Sequence, residues 1–305
     1  KEAAKSNYLG SAYGMRAFIY FQLLRTYGDV IVVTDYTKGS DISIGNMGKA
    51  ASPATEVMAQ IKKDIEASEK AYGDNYKFAS GRNYWSLAAT KMLKGEAYLW
   101  SGKQMGGGNA DYQIAKAAYE DVKKADVALQ NDFTKVFAFN NKKNKEIIYA
   151  VYNGKDEKTL WNDRFRLTLV MGSMFFKNYY EADGTTLAES AMGNMDGVMS
   201  VSLNKDMWKE LYRDGDTRKA GSLKDIYAKN EDGSLKYVGN IQYKFQGTLP
   251  QGYNLRQWLD DYPIYRYADC LLGLAEAKAL LGEDPAAEIN EVRKRAYGEE
   301  YFNAH

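Results

Sequence analysis

Between residues 13 and 27 the side chains of Tyr13, Ala17, Tyr20, Leu24 and Tyr27 recur at intervals of four and three, which puts them on one stripe of an α-helix. Met15, Phe18 and Ile19 add a second apolar face to the same helix. A helix that is apolar on two sides is expected to be packed on two sides, as in arrays of helices, and Gly28 followed by Asp29 is a fitting stop.

Three more helices follow from the same signals. Ser52 is placed to cap free backbone amides and Pro53 to preset the first turn of a helix through Val57, Ile61, Ile65, Ser68 and Tyr72, ending at Gly73. A third carries Trp85, Ala89, Met92, Glu96 and Leu99 and stops near Gly102; a fourth carries Tyr112, Ala115, Tyr119, Val122 and Leu129. Ala88, Ala89, Gly95 and Ala97 alternate with Trp85, Tyr98 and Trp100, so backbones can approach closely while aromatics fill the gaps, as in tetratricopeptide hairpins. The Leu93, Gly95, Tyr98 spacing departs from the strict repeat, so the hairpins are degenerate.

After Leu129 the period changes. Val136–Phe139 and Ile147–Tyr152 are expected to be short strands around the polar turn Asn140–Lys145. From Asn153 to about Asp261 the chain is rich in Gly, Asn, Asp, Met and aromatics, with one short helix expected around Leu203–Tyr212. Its aromatics argue against disorder and for a functional loop region. Helical spacing resumes at Ile264, Ala268, Leu271, Leu272, Ala275 and Ala279 and ends at Gly282, and a last helix starts at Asp284 and Pro285. The expected architecture is a single mostly α domain over 1–305. Its tetratricopeptide-like helical layer spans 1–130 and 262–298, and a loop-rich insertion with short strands spans 131–261.

Composition narrows the function. With 305 residues, 45% hydrophobic and 27% charged, the chain can bury a core without disulfides or metals. A net charge of +1, from 41 basic against 40 acidic residues spread along the chain, offers no basic stripe for nucleic acid. No apolar run approaches the roughly 20 residues of a membrane helix. The chain opens mid-pattern on Lys1-Glu2-Ala3-Ala4 rather than on a secretory leader, so it reads as processed or trimmed. Its single cysteine, Cys270, sits in an apolar run and is expected to be buried, and its single histidine is His305.

Two stretches carry a resemblance. Tyr13-Gly-Met-Arg-Ala-Phe-Ile-Tyr-Phe-Gln-Leu-Leu-Arg-Thr-Tyr-Gly-Asp-Val30 resembles one hallmark of the SusD/RagB family. Pro263-Ile-Tyr-Arg-Tyr-Ala-Asp-Cys-Leu-Leu-Gly-Leu-Ala-Glu-Ala277 with Ile289-Asn-Glu-Val-Arg-Lys-Arg-Ala296 resembles another. Lys145–Tyr149 and Gly215-Asp-Thr-Arg218 fall between them in the expected order. Ile31 stands where a proline commonly follows Val30, and Asp269 where a glutamate is usual. The resemblance implies a SusD-like helical fold and a surface lipoprotein of the outer membrane that binds oligosaccharides and partners a TonB-dependent, SusC-like transporter. It also implies that a lipidated cysteine, an N-terminal segment and a C-terminal portion lie outside this chain, so that membrane contact is through that anchor alone. The RagB branch allows peptide cargo instead.

A sugar site needs flat aromatics beside side chains that replace water. Trp161, Asn162, Asp163 and Arg164 supply both in consecutive residues, and Tyr179 and Tyr180 form the better half of an aromatic concentration that begins with Phe175 and Phe176. Tyr36 and Asp41 follow the first hallmark, where the resemblance places one edge of the site. Trp208 and Trp258 read as core residues. Arg16, Arg266 and Glu276 interrupt apolar helices and are expected to be paired. With no phosphate loop and no metal-ligand spacing, no cofactor, no metal and no catalytic residue are expected. A glycosidase, which needs only two carboxylates, is a less favoured alternative that Asp163, Asp183 and Asp196 keep open.

Overall fold

A computed structural model describes residues 2–36, 38–39, 48–157, 178–187, 207, 210–245, 247–253 and 256–305. Its elements are α1 (Glu2–Tyr27), α2 (Ala54–Tyr72), α3 (Leu87–Gln104), α4 (Gly108–Val122), β1 (Ile147–Val151) and α5 (Arg218–Ser222). After these come β2 (Leu223–Lys229), β3 (Leu235–Gln242), β4 (Tyr262–Arg266), α6 (Tyr267–Leu280), α7 (Ala286–Tyr297) and α8 (Glu299–Ala304). The described chain is mostly helical, with the helices in hairpins and only short strands between them. It divides into two compact units, Lys1–Val127 with Tyr265–Ile289, and Ala128–Ile264 with Asn290–His305.

In the first unit α1 packs on α2, α3 on α4, and α6 against α4 and α3. Ala17 and Phe21 are fully buried and Leu24 nearly so, opposite Val57, Ile61 and Ile65 of α2. The second apolar face of α1 is only partly used: Phe18 meets Trp85 and Tyr265 at ring distances of 5.5 and 6.1 Å, whereas Ile19 is exposed, and Tyr27, at the end of the first stripe, is exposed as well. Close approach is bought by glycine. A Cβ on Gly14 would lie 2.0 Å from Trp85 Nε1, and Tyr119 lies over both Gly95 and Gly273, with its ring atoms 2.5 and 2.4 Å from their would-be Cβ atoms. Trp85 in turn donates to Thr90 at 2.8 Å, Ser68 and Thr90 hydroxyls meet at 2.8 Å, and Ser68 donates to the Gly10 carbonyl at 2.7 Å. This buried network satisfies each polar group while tying α1, α2 and α3 into one register.

The helix-interrupting charges are paired. Arg16 makes a two-pronged bond to buried Asp64 at 2.6 and 2.7 Å, Glu276 meets Lys103 at 2.8 Å, and Arg266 meets Asp269 at 3.2 Å. Asp269 also accepts the Arg266 N–H at 2.9 Å, so this acidic residue of the second hallmark closes the start of α6. Cys270 is fully buried and donates to the Tyr119 carbonyl at 3.3 Å.

Several local expectations are corrected. Ser52 does not cap α2: its backbone bridges Val30, and Asp29 Oδ1 takes the Ala54 N–H at 2.8 Å instead. The stop signal of one helix thus starts the next. α4 ends at Val122, so Leu129 is not on it, and Ile264 lies on β4 rather than at a helix start. Val136–Phe139 is not a strand but lies between and into two 3-10 turns, Phe133–Lys135 and Phe139–Asn141; Val136 and Phe137 bury in a cluster, and among the described residues no strand pairs with them. Ile147–Val151 is a strand, and it pairs with β4. The helix expected around Leu203–Tyr212 lies largely outside the described residues, as do Trp208, Phe175 and Phe176.

The stretch read as irregular contains an antiparallel hairpin, β2–β3, with a bulge at Ile226/Tyr227. Its turn is built by Asp232, which accepts from the Ser234 N–H at 2.9 Å, and by Gly233 at φ 82°. Ile226 joins Phe133, Val136, Phe137, Ile147, Ala150, Phe245 and Trp258 in the second unit's core. Beside it Glu146, fully buried, takes Arg295 Nη1 at 2.8 Å and the Gln130 N–H at 2.8 Å. Gly215-Asp-Thr-Arg218 is a second fastening: Asp216 holds Arg218 at 2.6 Å and Thr217 donates to the Ala296 carbonyl at 2.7 Å.

Candidate functional site

The site residues expected from the sequence are distributed as follows. Trp161, Asn162, Asp163, Arg164 and Asp41 lie outside the described residues, as does Asp196. Tyr36, in the first unit, is 81% exposed at the end of an extended segment that is tied back to α1. There the Tyr20 hydroxyl donates to the Val33 carbonyl at 3.1 Å and Arg16 donates to the Thr34 carbonyl at 3.2 Å. In the second unit Tyr179 is half-buried against the core cluster, so its ring is partly structural. Tyr180 bridges Tyr227 through both backbone groups at 2.8 and 2.9 Å, which adds a rung to the edge of β2, and Lys229 sits 4.2 Å from its ring centroid. The structure brings Tyr179 and Tyr180 to the hairpin and leaves Tyr36 on the other unit.

The sequence did not single out a cavity of about 400 Å³ that lies wholly within the second unit. Its aromatic walls are Phe137, Phe139, Tyr243 and Phe245, and Thr134, Asn140 and Thr248 add hydrogen-bonding groups. Lys135 and Arg256 supply positive charge, and Asp260 is the one carboxylate among the described residues of the lining. The shape follows from local backbone choices. The 3-10 turns place Phe137 and Phe139 on one side. In the other stretch that lines it, Phe245 and Gly247 both take left-handed backbone, at φ 59° and 69°. Phe245 carries the strain of that conformation, whereas Gly247 is required: a Cβ there would come within 2.6 Å of the Gln257 carbonyl oxygen. Thr248 and Gln257 then close the loop by paired backbone bonds of 2.9 and 2.7 Å. Phe137 and Phe245 meet edge to face at 5.2 Å, and Lys244 lies 3.9 Å from the Phe137 ring centroid.

Asp260 is 1% exposed. Its carboxyl accepts the Gly247 N–H, and its own carbonyl accepts Asn153 Nδ2 at 2.9 Å, but Oδ2 has no hydrogen-bond partner among the described residues. Burial outweighs that bond and the charges of Lys142 and Arg256, and pushes the group up to about 6. Lys142 is engaged elsewhere, with Asp261 at 2.8 Å and the Asn153 carbonyl at 2.5 Å. Asp183, one of the carboxylates that kept a hydrolase reading open, accepts from the Thr185 and Thr186 amides at 2.9 Å and from the Thr186 hydroxyl at 2.5 Å. These bonds hold it well below the usual carboxylate range, which makes it a poor proton donor. No group of acidic, histidine or cysteine side chains among the described residues is arranged to hold a metal ion.

Chemically the cavity can hold a ring-shaped ligand with apolar faces and polar edges. Aromatic walls cover the faces, while hydroxyl and amide groups replace water at the rim. A signal for it existed in the sequence, in the spacing of Phe133, Phe137 and Phe139 before Asn140 and in Phe245-Gln-Gly247, but only folding brings the two stretches together.

Comparison with known proteins agrees with this architecture. Bacteroides fragilis NanU is 54% identical, with a TM-score of 0.91, and the similarity covers all of this chain and 61% of NanU. A SusD superfamily protein from Bacteroides vulgatus is 51% identical, with a TM-score of 0.91, covering all of this chain and 62% of that protein. Surface glycan-binding protein A from Bacteroides thetaiotaomicron, solved in complex with laminarihexaose, shares the fold at a TM-score of 0.67 and 17% identity, over 97% of this chain and 63% of its own. The chain thus spans less than two thirds of the length of each of these relatives. The sequence model of the SusD family matches residues 55–302, and the chain belongs to that family.

Proposed function

We propose that this chain is the main part of a non-catalytic cell-surface protein that captures oligosaccharides and delivers them to a TonB-dependent transporter in the outer membrane, to which a lipid anchor outside this chain tethers it. The observation that carries the reading is the cavity of the second unit, where aromatic walls alternate with hydrogen-bonding side chains, as the amphipathic faces of a sugar require. Family membership and the laminarihexaose complex of a distant structural relative support it. Binding without hydrolysis fits the described part of the lining, where one carboxylate stands and cleavage of a glycosidic bond uses two across it. Trp161, Asn162, Asp163, Arg164, Tyr179, Tyr180, Tyr36 and Asp41 remain proposed contacts for longer chains of the same ligand.

The test is a calorimetric screen of the purified protein against soluble polysaccharides, their oligosaccharides and peptides, with reducing ends assayed in parallel. Oligosaccharide binding without release of reducing ends is expected. Binding of peptides alone would replace the glycan reading with a peptide-capturing one, and release abolished by a single carboxylate substitution would make the protein a hydrolase.

A further inference from the structure

A cavity of about 400 Å³ is near the small end of the range for ligand pockets, so part of an oligosaccharide held there lies outside it. Two lining residues, Phe139 and Leu249, are 37% and 45% exposed and mark where the lining reaches the surface. From Phe139 the aromatic surface continues. Lys142 Nζ lies 5.2 Å from the Phe139 ring centroid and 4.7 Å from that of Tyr152, which follows β1 and is 45% exposed, so the two rings flank one ammonium. That ammonium is met by Asp261 at 2.8 Å and by the Asn153 carbonyl at 2.5 Å, which neutralises it and leaves the rings as the dominant feature of this surface. Beyond Leu249 in the chain, Tyr253 is exposed, and its ring centroid lies 5.3 Å from Nζ of Lys155, three residues after Tyr152.

The backbone holds these side chains in place. The Tyr152 ring lies over Gly154, where a Cβ would fall 2.6 Å from its Cε1. Among the described residues, left-handed backbone outside glycine occurs at Lys143, Asp156 and Phe245: beside Lys142, beside Lys155 and in the cavity wall. Such strain persists only where the surroundings over-determine it, and it gathers at ligand clamps.

We propose that Tyr152 forms an outer subsite, its ring stacking on a sugar that lies outside the cavity while a neighbouring ring of the same chain occupies it, with Phe139 between the two and Tyr253 beside them. The inference rests on the reading of the cavity as a sugar site and goes further by fixing the size of the cargo: a chain of at least two rings, not a free monosaccharide. A tyrosine suits this place, because its apolar body covers a C–H face while its hydroxyl stays in water. Two joined rings held at once gain affinity because the second binds without a new association step.

The experiment is isothermal titration of the one-, two-, three- and six-ring members of the laminarin, cellulose, xylan and mannan series into wild type, Tyr152→Ala, Tyr152→Phe and Phe139→Ala, with a thermal melt of each variant. Wild type is expected to bind the three-ring member of a series it recognises about tenfold or more tighter than the one-ring member. Tyr152→Ala is expected to weaken the three-ring member about tenfold and the one-ring member far less, at a wild-type melting temperature, whereas Tyr152→Phe keeps the gain with length. Phe139→Ala is expected to weaken members of every length. A wild-type affinity that is the same for one ring and for six, or a Tyr152→Ala variant that keeps the full gain, would overturn the inference and leave glycan capture standing. Absence of binding by wild type to every sugar tested would overturn both. Should Tyr152→Ala not fold, Tyr152→Leu, which fills the space without a flat face, takes its place with the same expected losses.

Discussion

At Asp260 the same burial that shapes the cavity penalises the charged side chain. Its folded value, about 6, stands above the ordinary 3.8, so the folded state holds the proton more tightly than the unfolded chain. The sign follows: stability from this group is complete below about pH 4, is lost as pH rises through about 6, and stays lost above it, a cost on the order of 3 kcal/mol. Asp260→Asn is therefore expected to melt higher than wild type near pH 7.5 and much closer to it near pH 4, as thermal melts at the two pH values would report. Arg295 illustrates the opposite case, a charge that pays its way only through its partner. Arg295→Ala removes the ion-pair partner of the fully buried Glu146, which should cost about 3–5 kcal/mol in urea unfolding. Neither residue advertised its role in the sequence. Asp260 and Asp261 stand together between Leu259 and Tyr262, and whether such an aspartate is solvated or buried depends on other segments of the chain, here Asn153 and Gly247.

The helices are the elements for which local sequence sufficed. Their apolar period, the Gly28 stop and the Asp284 cap, which takes the Ala286 N–H at 2.9 Å, all act within a few residues. Ala17 lies on the buried stripe of α1 with no exposed surface, so Ala17→Asp should cost several kcal/mol and prevent folding at ordinary temperature; a variant melting like wild type would contradict the packing described. Gly14→Ala tests the closeness of the helices more finely. Its methyl group would displace Trp85 from the Thr90 hydroxyl, at an expected cost of about 2–4 kcal/mol in urea unfolding. The strands were harder to read. The β2–β3 hairpin carries a legible Asp232-Gly233 turn, yet its flanks mix Lys, Asp and Asn with the apolar residues, so alternation is weak. Val136–Phe139 has strand composition without a strand partner, and composition alone does not reveal whether a partner exists.

For the molecule as a whole, capture without chemistry predicts that purified protein releases no reducing ends from any oligosaccharide it binds, a result that a reducing-sugar assay checks directly. Trp161→Ala is expected to weaken a bound oligosaccharide about thirtyfold while the melting temperature holds, because a ring serving as a sugar platform carries roughly 2 kcal/mol at the contact and little in the core. A variant that melts many degrees lower yet binds normally while folded would make Trp161 a core anchor instead. The sequence by itself determined the helical class, the order of the hallmarks and the resemblance to the SusD family, because these depend on patterns read within single segments. The cavity was decided by tertiary structure alone. Its described walls come from residues 134, 135, 137–140, 221, 243, 245, 247–249, 256 and 260, and no local rule relates an aromatic in a 3-10 turn to residues more than eighty positions later until the chain has packed them together.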